Sequence, residues 1–330
     1  MLLSKQLLIT IATVLNVFLL AGKEALGLRG NKLFVFGDEF VDTGNSEIPD
    51  SPWRKPYGMT YPGKPSGRLS DGKVWSDYFA MHLGLPSPVP YKQRTWKRKN
   101  LKSGMNFAYP STSIFQKRVP FPNLPEQIDI FKTMFEDGIY KASDLKSSVA
   151  LISVSANDLY YFDFEGNNTA QGWDDFQQKV VSSLIENIKR IDALGVKTIA
   201  VDSLHPLGCL PFLSTNSSYT TCNADWNKRA TNHNQLLLSQ LATLAGQRPQ
   251  TKYFYLDFYK SWITILQRSK YSPWKPCCAG FCGTVDEGGN EMYTVCRNPG
   301  RFFFFDNHQP SQRGWYEVYL NLKKSFHRLP

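Results

Sequence analysis

Four short apolar runs recur along the chain, separated by longer polar and amphipathic stretches. A short continuous apolar run is typical of a strand that is buried on both faces of a parallel sheet. The four runs are Lys32–Phe36, Val149–Val154, Lys197–Asp202 and Lys252–Asp257. We therefore predict a central parallel sheet built on these strands.

Two of the intervening stretches carry the periodicity of amphipathic helices. In Gln177–Leu194 the apolar residues are spaced three and four positions apart, at Val180, Leu184, Ile188 and Ile191. Asp225–Leu244 has a broad apolar face made by Leu236, Leu238, Leu241 and Leu244. Alternating strands and helices predict an α/β fold, a three-layer α/β/α sandwich with a parallel central sheet. Ligands of such folds gather at the carboxyl ends of the strands.

The composition is that of a globular protein with a single domain. The 330 residues are 42% hydrophobic and 14% aromatic, which is ample for a sizeable core. The sequence has no Pro/Ser/Gly-rich linker, composition break or internal repeat that would divide it. We predict one domain over residues 28–330.

Residues 1–27 have the pattern of a secretory signal peptide. Lys5 precedes an apolar stretch at residues 7–22, and the small residues Ala25 and Gly27 suit a cleavage site. An uncleaved anchor is the alternative, but the stretch is short for a membrane span. We predict cleavage near Gly27 and a secreted protein, extracellular or in the endomembrane lumen, that is not transmembrane after signal removal.

The cysteines fit this secretory route, because an even number after a signal peptide indicates disulfides. Of the six, Cys209 and Cys222 are the predicted pair, since they close a short loop after a predicted strand. Pairing stays open among the four in a Gly-rich loop, with zinc as the alternative: Cys277, Cys278, Cys282 and Cys296. Sequons at Asn167 and Asn216 predict glycosylation.

The formal net charge of +10 is locally concentrated in residues 91–102, where Trp96 lies among basic side chains. Such a segment is typical of nucleic-acid binding, but the secretory signal argues against a nucleic-acid partner. A solvated basic loop is the simplest interpretation. Weak attraction to an acidic polysaccharide or an anionic lipid is the functional alternative.

A series of sequence blocks carries the candidate chemistry. They are LFVFGDEFVDTGN (33–45), PYGMTYPGKPSGRLSDGKVWSDYFA (56–80), GMNFAYPSTSIF (104–115), LISVSANDLYY (151–161), LHPLGCLP (204–211) and FFDNHQPSQRGW (304–315). In content and order the blocks resemble those of the plant GDSL esterase/lipases, which belong to the SGNH hydrolase superfamily. The resemblance implies the flavodoxin-like SGNH-hydrolase fold, hydrolysis of carboxylic esters and a place in lipid metabolism.

Two of the family's catalytic positions are changed in the early blocks. The family has its nucleophilic serine directly after Gly-Asp, where this chain has Glu39, and a carboxylate has no hydroxyl proton for a base to remove. Matching Asn106-Phe107-Ala108 to the family pattern puts Pro110 at the oxyanion glycine. Proline has no backbone N–H to donate. Asn157 retains the oxyanion asparagine of the Gly-Asn-Asp block.

The last block is changed at the base. The family's Asp-x-x-His spacing puts the triad acid at Asp306 and the base at Gln309. A glutamine amide does not titrate near neutral pH and cannot relay a proton. His308, one residue earlier, is the alternative base. The remaining histidines match no catalytic block, so we predict that they are surface or packing residues.

These replacements indicate a secreted GDSL-family protein that has lost efficient ester hydrolysis. It would act by binding an acyl-ester, lipid or other small ligand in the residual cleft, or a protein partner. The alternative is a carboxylic ester hydrolase with an atypical site that uses Asp306 and His308. A duplicate without a retained role is a third possibility. We predict no cofactor and no metal, because the carboxylates match no metal motif.

Overall fold

The architecture is given by a computed structural model, which describes residues 30–46, 51–115, 119–166, 169–268 and 274–323. The predicted signal peptide lies outside the described residues, and so does Asn167 of the first sequon. Asn216 of the second sequon is exposed. No helix in the described ranges combines the length and the apolar character that a membrane crossing needs.

Six parallel strands form the central sheet, in the spatial order β2-β3-β1-β4-β5-β6. Their bounds are β1 Leu33–Gly37, β2 Val89–Pro90, β3 Gly104–Asn106, β4 Val149–Ser153, β5 Thr198–Asp202 and β6 Lys252–Leu256. The four predicted strands are confirmed to within one residue at each end. The sequence analysis missed β2 and β3, which are too short for an apolar run to mark them.

Helices cover both faces of the sheet. They are α1 Trp75–His82, α2 Leu124–Glu136, α3 Ala142–Lys146, α4 Asn157–Phe164, α5 Ala170–Ala193, α6 Pro211–Ser214, α7 Ala224–Gln247, α8 Phe258–Arg268 and α9 Gln312–Leu322. Phe34 and Phe36 of β1 pack into the core beneath α2, α5 and α7. Leu33 and Val35 point to the opposite face and pack with α1, α8 and α9. This alternation places β1 in the middle layer of the predicted three-layer sandwich.

The helical faces agree with the predicted pattern in α5 and differ from it in α7. Val180, Leu184, Ile188 and Ile191 of α5 are all buried. In α7, Leu241 and Leu244 are buried as predicted, but Leu238 is 41% exposed and Leu237 replaces it in the core. Residues four apart share a helix face, so Leu237 lies on the same face as Leu241. Because Leu236, Leu237 and Leu238 are consecutive, the sequence alone does not show which of them is buried.

The cysteine-rich segment near the C-terminus is a β-hairpin rather than the predicted loop. Strands β7 (Cys278–Val285) and β8 (Glu291–Val295) pair antiparallel. Disulfides join Cys277 to Cys296 and Cys278 to Cys282, so zinc has no free thiol there. The predicted bond between Cys209 and Cys222 is confirmed, with Cα atoms 4.3 Å apart.

Candidate active site

The turn that follows β1 places Glu39 at the carboxyl end of the sheet. Gly37 has φ +139°, and a Cβ there would lie 1.8 Å from the carbonyl oxygen of Ser153, so only glycine fits. Gln127 of α2 holds the end of the strand, because its side chain accepts from the N–H of Gly37 at 2.8 Å and donates to its carbonyl at 2.9 Å. Asp38 and Glu39 therefore start from a fixed backbone.

Asp38 is fully buried beneath the site. Its carboxylate accepts hydrogen bonds from the backbone N–H groups of Ser155 and Phe40, which tie the first block to the loop after β4. Burial, followed by the neighbouring charge of Glu39, raises the pKa of Asp38 well above its usual range. Asp38 therefore holds the loops together and is turned away from the cleft, while Glu39 faces it.

Glu39 is held by one backbone donor and one side-chain donor. Its Oε2 accepts from the N–H of Ser111 at 2.8 Å, and its Oε1 accepts from Nε2 of Gln309 at 3.4 Å. Ser111 has φ +56°, a left-handed conformation that favours glycine. The sequence analysis missed this donor, because it considered only the oxyanion position at Pro110 in this block. The block therefore retains an N–H aimed at residue 39, even though Pro110 has none.

Asn157 and Pro110 line the same cleft as Glu39. Asn157 begins α4, and its Nδ2 donates to the carbonyl oxygen of Thr112 at 2.9 Å. The residue before it, Ala156, stands where the family's Gly-Asn-Asp block has glycine and has φ +101°. The turn that presents Asn157 therefore keeps a glycine-like backbone without the glycine.

Asp306 accepts hydrogen bonds at both of its carboxylate oxygens. The backbone N–H groups of His308 and Gln309 donate to Oδ1, at 2.8 and 2.7 Å. The hydroxyl of Tyr57 donates to Oδ2 at 2.8 Å. Burial and the adjacent Asp306 raise the pKa of Tyr57 well above its usual range, so the hydroxyl keeps the proton that it donates. Tyr57 was not predicted as a site residue, because it comes from the block that carries no catalytic position.

The two residues at the base position have different surroundings. The imidazole of His308 is exposed and stacks on Phe212, with ring centroids 4.3 Å apart. Gln309 is 4% exposed, and its Oε1 has no hydrogen-bond partner among the residues that the structure describes. Elsewhere, His205 is buried against Phe40 and Trp262, and burial lowers its pKa to about 3. His205 is thus a packing residue, as predicted.

All six predicted site residues line one cleft of about 690 Å³: Glu39, Pro110, Asn157, Asp306, His308 and Gln309. One wall is aromatic and apolar, made by Tyr160, Phe212, Leu213 and Trp226. Within the described ranges, no group of three or more His, Cys, Asp or Glu residues is arranged to hold a metal ion. The arrangement therefore offers a shaped cavity with a carboxylate and an amide in place of a hydroxyl and an imidazole.

The strand order and the cleft define an SGNH-type three-layer fold with its site at the carboxyl ends of the strands. The family model described as GDSL-like Lipase/Acylhydrolase matches residues 33–318, and the chain belongs to this family. It is 43% identical to GDSL esterase/lipase At5g03610 of Arabidopsis thaliana, over 90% of this chain and 87% of that protein. It is 41% identical to GDSL esterase/lipase At3g09930 of the same organism, over 90% and 88% of the two chains.

Solved structures resemble the chain more distantly. The lipase Lip_vut3 from a goat rumen metagenome has a TM-score of 0.45 and 11% identity, covering 92% of this chain and all of that one. The acetylxylan esterase Axe2 from Geobacillus stearothermophilus has a TM-score of 0.41 and 11% identity, covering 90% and 94%. At these scores the likeness adds nothing to what the strand order already defines.

Proposed function

We propose that this protein is a secreted member of the GDSL family that binds a small ligand in its cleft without hydrolysing esters efficiently. The observation that carries the proposal is the hydrogen bond from the N–H of Ser111 to the carboxylate of Glu39. An N–H in such a position serves an esterase by stabilising the negative oxygen of the tetrahedral intermediate. Here the side-chain carboxylate of Glu39 already accepts from it.

The groups needed for the first chemical step are absent at their family positions. Glu39 has no hydroxyl proton, so it cannot be activated as a serine is. Gln309 is within reach of Glu39, but an amide does not take up a proton at neutral pH. The two replacements complement each other as a carboxylate and an amide donor, and neither transfers a proton.

The cleft itself supports a binding role. Its volume of about 690 Å³ lies within the roughly 300–1,000 Å³ that is typical of small-molecule sites. Its aromatic wall supplies apolar contact area, and its lining also includes polar groups such as Glu39, Asn157 and Gln309. The same combination serves ligand binding whether or not a reaction follows.

The rival proposal is a carboxylic ester hydrolase that uses Asp306 and His308, as family membership alone would suggest. The contacts argue against this pair. Asp306 is bonded to the backbone N–H of His308, while the imidazole stacks on Phe212. A catalytic base needs its ring oriented by the acid and within hydrogen-bond reach of a nucleophile.

Secretion is supported by two features of the described chain and one of the sequence. All six cysteines are in disulfides, which form in oxidising compartments. The sequon residue Asn216 is exposed, as a glycosylation acceptor must be. The apolar stretch at residues 7–22 has signal-peptide character. N-terminal sequencing and glycan analysis of protein collected from the medium would test this part.

The catalytic part is tested with purified protein and short-chain p-nitrophenyl esters. We expect the wild type to hydrolyse them no faster than the Glu39→Ala variant, at a rate up to about a million-fold below an intact triad enzyme. His308→Ala serves as the second comparison. Hydrolysis at ordinary enzyme rates that disappears in His308→Ala would reject our proposal in favour of the rival.

A further inference from the structure

The cleft is negatively charged although the protein as a whole is basic. The formal net charge of the chain is +10, yet the charged residues among those that line the cleft are Glu39, Asp163 and Asp306. Within the described part of the chain, no Lys or Arg is among the lining residues. Arg229, behind the wall, pairs with Asp163 at 3.5 Å and offsets its charge. The negative charge that remains is on Glu39 and Asp306, which together with Gln309 we call the floor of the cleft.

The floor also offers an acceptor without a partner. Gln309 lines the cleft, and its buried Oε1 receives no hydrogen bond from the described residues. The amide cannot simply be turned around, because Oε1 would then face the carboxylate of Glu39 in place of the Nε2 donor. Asp306 differs, since both of its oxygens are occupied by protein donors. A ligand N–H group that reached Oε1 of Gln309 would satisfy this buried oxygen, and the adjacent carboxylate of Glu39 can accept from the same ligand.

The donors that an ester would need are already engaged. The N–H of Ser111 donates to Glu39, and Nδ2 of Asn157 donates to the carbonyl of Thr112. A ligand carbonyl oxygen placed here would meet the Glu39 carboxylate without receiving the donors that normally bind it. The floor is therefore better suited to a donor than to an acceptor.

Three aromatic rings line the same cleft. Tyr160 lies 4.9 Å from Trp226 and 5.5 Å from Phe212 between ring centroids, and all three line the cleft. Trp226 already has a cation over it, since the guanidinium of Arg229 lies 4.7 Å from its ring centroid. Aromatic faces attract cations, most strongly where water is excluded.

We infer that the ligand of this cleft is an organic ammonium ion: a protonated amine with at least one N–H and an apolar or aromatic body. Its N–H groups would donate to Glu39 and to Oε1 of Gln309, and its body would pack on the wall of Tyr160, Phe212 and Trp226. The inference rests on the proposed ligand-binding function and names its ligand class.

Three probes with closely similar skeletons and different charges test the inference. Phenethylammonium, phenethyl alcohol and hydrocinnamate are titrated into the full mature protein at pH 7 by isothermal calorimetry. We expect phenethylammonium to bind at least about tenfold more tightly than the alcohol, as a charge-assisted hydrogen bond allows, and hydrocinnamate to bind most weakly.

Matched variants locate the site. Glu39→Gln removes the charge with little change of shape and should weaken phenethylammonium binding at least about tenfold. Glu287→Gln makes the same exchange at an exposed position beyond β7 and should leave the affinity unchanged. Binding of the alcohol should change little in either variant.

The inference is overturned if the alcohol or hydrocinnamate binds as tightly as the ammonium, if no probe binds, or if Glu39→Gln behaves like Glu287→Gln. Ester hydrolysis measured on the same preparations decides the proposed function separately. A protein that hydrolyses esters but prefers the ammonium would contradict only the non-hydrolytic proposal. A protein without hydrolysis or ammonium preference would contradict only the inference about ligand class.

Discussion

Gln309 donates its side-chain amide to the carboxylate of Glu39 across 3.4 Å, although the two residues are 270 positions apart in the chain. In the family pattern these are the positions of the base and of the nucleophile. The contact shows that the two replaced side chains are hydrogen-bond partners: the amide supplies the donor and the carboxylate supplies the acceptor. Reversing only one of them leaves a group without its complement.

This relationship predicts that esterase activity returns only when both positions are reversed. Glu39→Ser restores a hydroxyl that Gln309 cannot deprotonate, and Gln309→His supplies a base with no nucleophile to activate. We expect negligible hydrolysis of p-nitrophenyl acetate by either single variant. The double variant should exceed both by about 10²–10⁴-fold, the usual contribution of a general base, yet remain slow, because catalytic units act together.

All variants must be folded, which circular dichroism and thermal melts establish before rates are compared. A fast esterase produced by Glu39→Ser alone would contradict this prediction. It would show that another residue, with His308 first in line, already serves as the base.

The N–H of Ser111 changes what is expected of Pro110. From sequence alone, Pro110→Gly should raise the rate of a repaired enzyme by about a hundredfold or more, because it supplies a missing oxyanion donor. The structure has a donor one residue later, which Glu39→Ser would release from its carboxylate. We therefore expect Pro110→Gly to add less than about tenfold to the kcat of the double variant. A hundredfold gain would mean that Ser111 does not serve as the donor.

We expect the substitution Ala156→Gly, inside the site, to stabilise the protein. Its φ of +101° costs a residue with a Cβ about 1–3 kcal/mol, and glycine avoids that cost. Ala156→Gly should raise the free energy of unfolding by about 1 kcal/mol in urea titrations. Ala242→Gly, within helix α7, is the matched control and should lower it by about the same amount. Equal destabilisation by both would argue against a strained backbone at Ala156.

Because folding raises the pKa of Asp42, we expect the free energy of unfolding to fall as the pH rises. Burial raises its pKa from 3.8 to about 7, while hydrogen bonds from the N–H groups of Gly44 and Asn45 lower it. Its Oδ2 has no partner in the described ranges. A pKa raised by folding means that the folded chain holds the proton more tightly. The stabilising contribution is therefore complete below pH 3.8 and is lost as the pH rises through 7.

Asp42→Asn tests this linkage, because the amide keeps an acceptor for both N–H groups but does not titrate. Relative to the wild type, the variant should gain up to about 4 kcal/mol of unfolding free energy between pH 4 and pH 8. Asp137→Asn, at an exposed carboxylate, is the control and should show little gain. An unchanged difference across this range would show that Asp42 is ionised throughout.

The positions of four of the six sheet strands could be predicted from the sequence, because burial on both faces marks each of them as an apolar run. β1, β4, β5 and β6 are buried on both faces, so each appears as an unbroken apolar run. β2 and β3 contain Pro90 and Gly104 and span only two and three residues, so nothing in the pattern sets them apart from loops. Their place in the sheet is decided by the neighbours with which they pair.

The candidate site was also predicted only in part: its residues were identified from the sequence, but several of their contacts were not. The block alignment was enough to bring Glu39 and Gln309 into one cleft with the other four predicted residues. It could not supply the donor from Ser111, which depends on a left-handed backbone, or the bond between Tyr57 and Asp306, which spans 249 positions. Such contacts depend on three-dimensional arrangement, and residue types alone do not specify them.

The bond between Cys209 and Cys222 has a consequence for where the protein can work. Cys209 lies two residues before the short helix α6 that carries Phe212, and Cys222 lies two residues before helix α7 that carries Trp226. Both rings line the aromatic wall of the cleft, so the disulfide links the two chain segments that form this wall. Without the disulfide the two segments would still be joined by hydrogen bonds of Gly208 with Asn223 and Asn227, but by no covalent link except the intervening chain. For the proposed binding function, this means that an oxidising compartment would keep the aromatic side of the cleft covalently fixed, whereas a reducing one would loosen it.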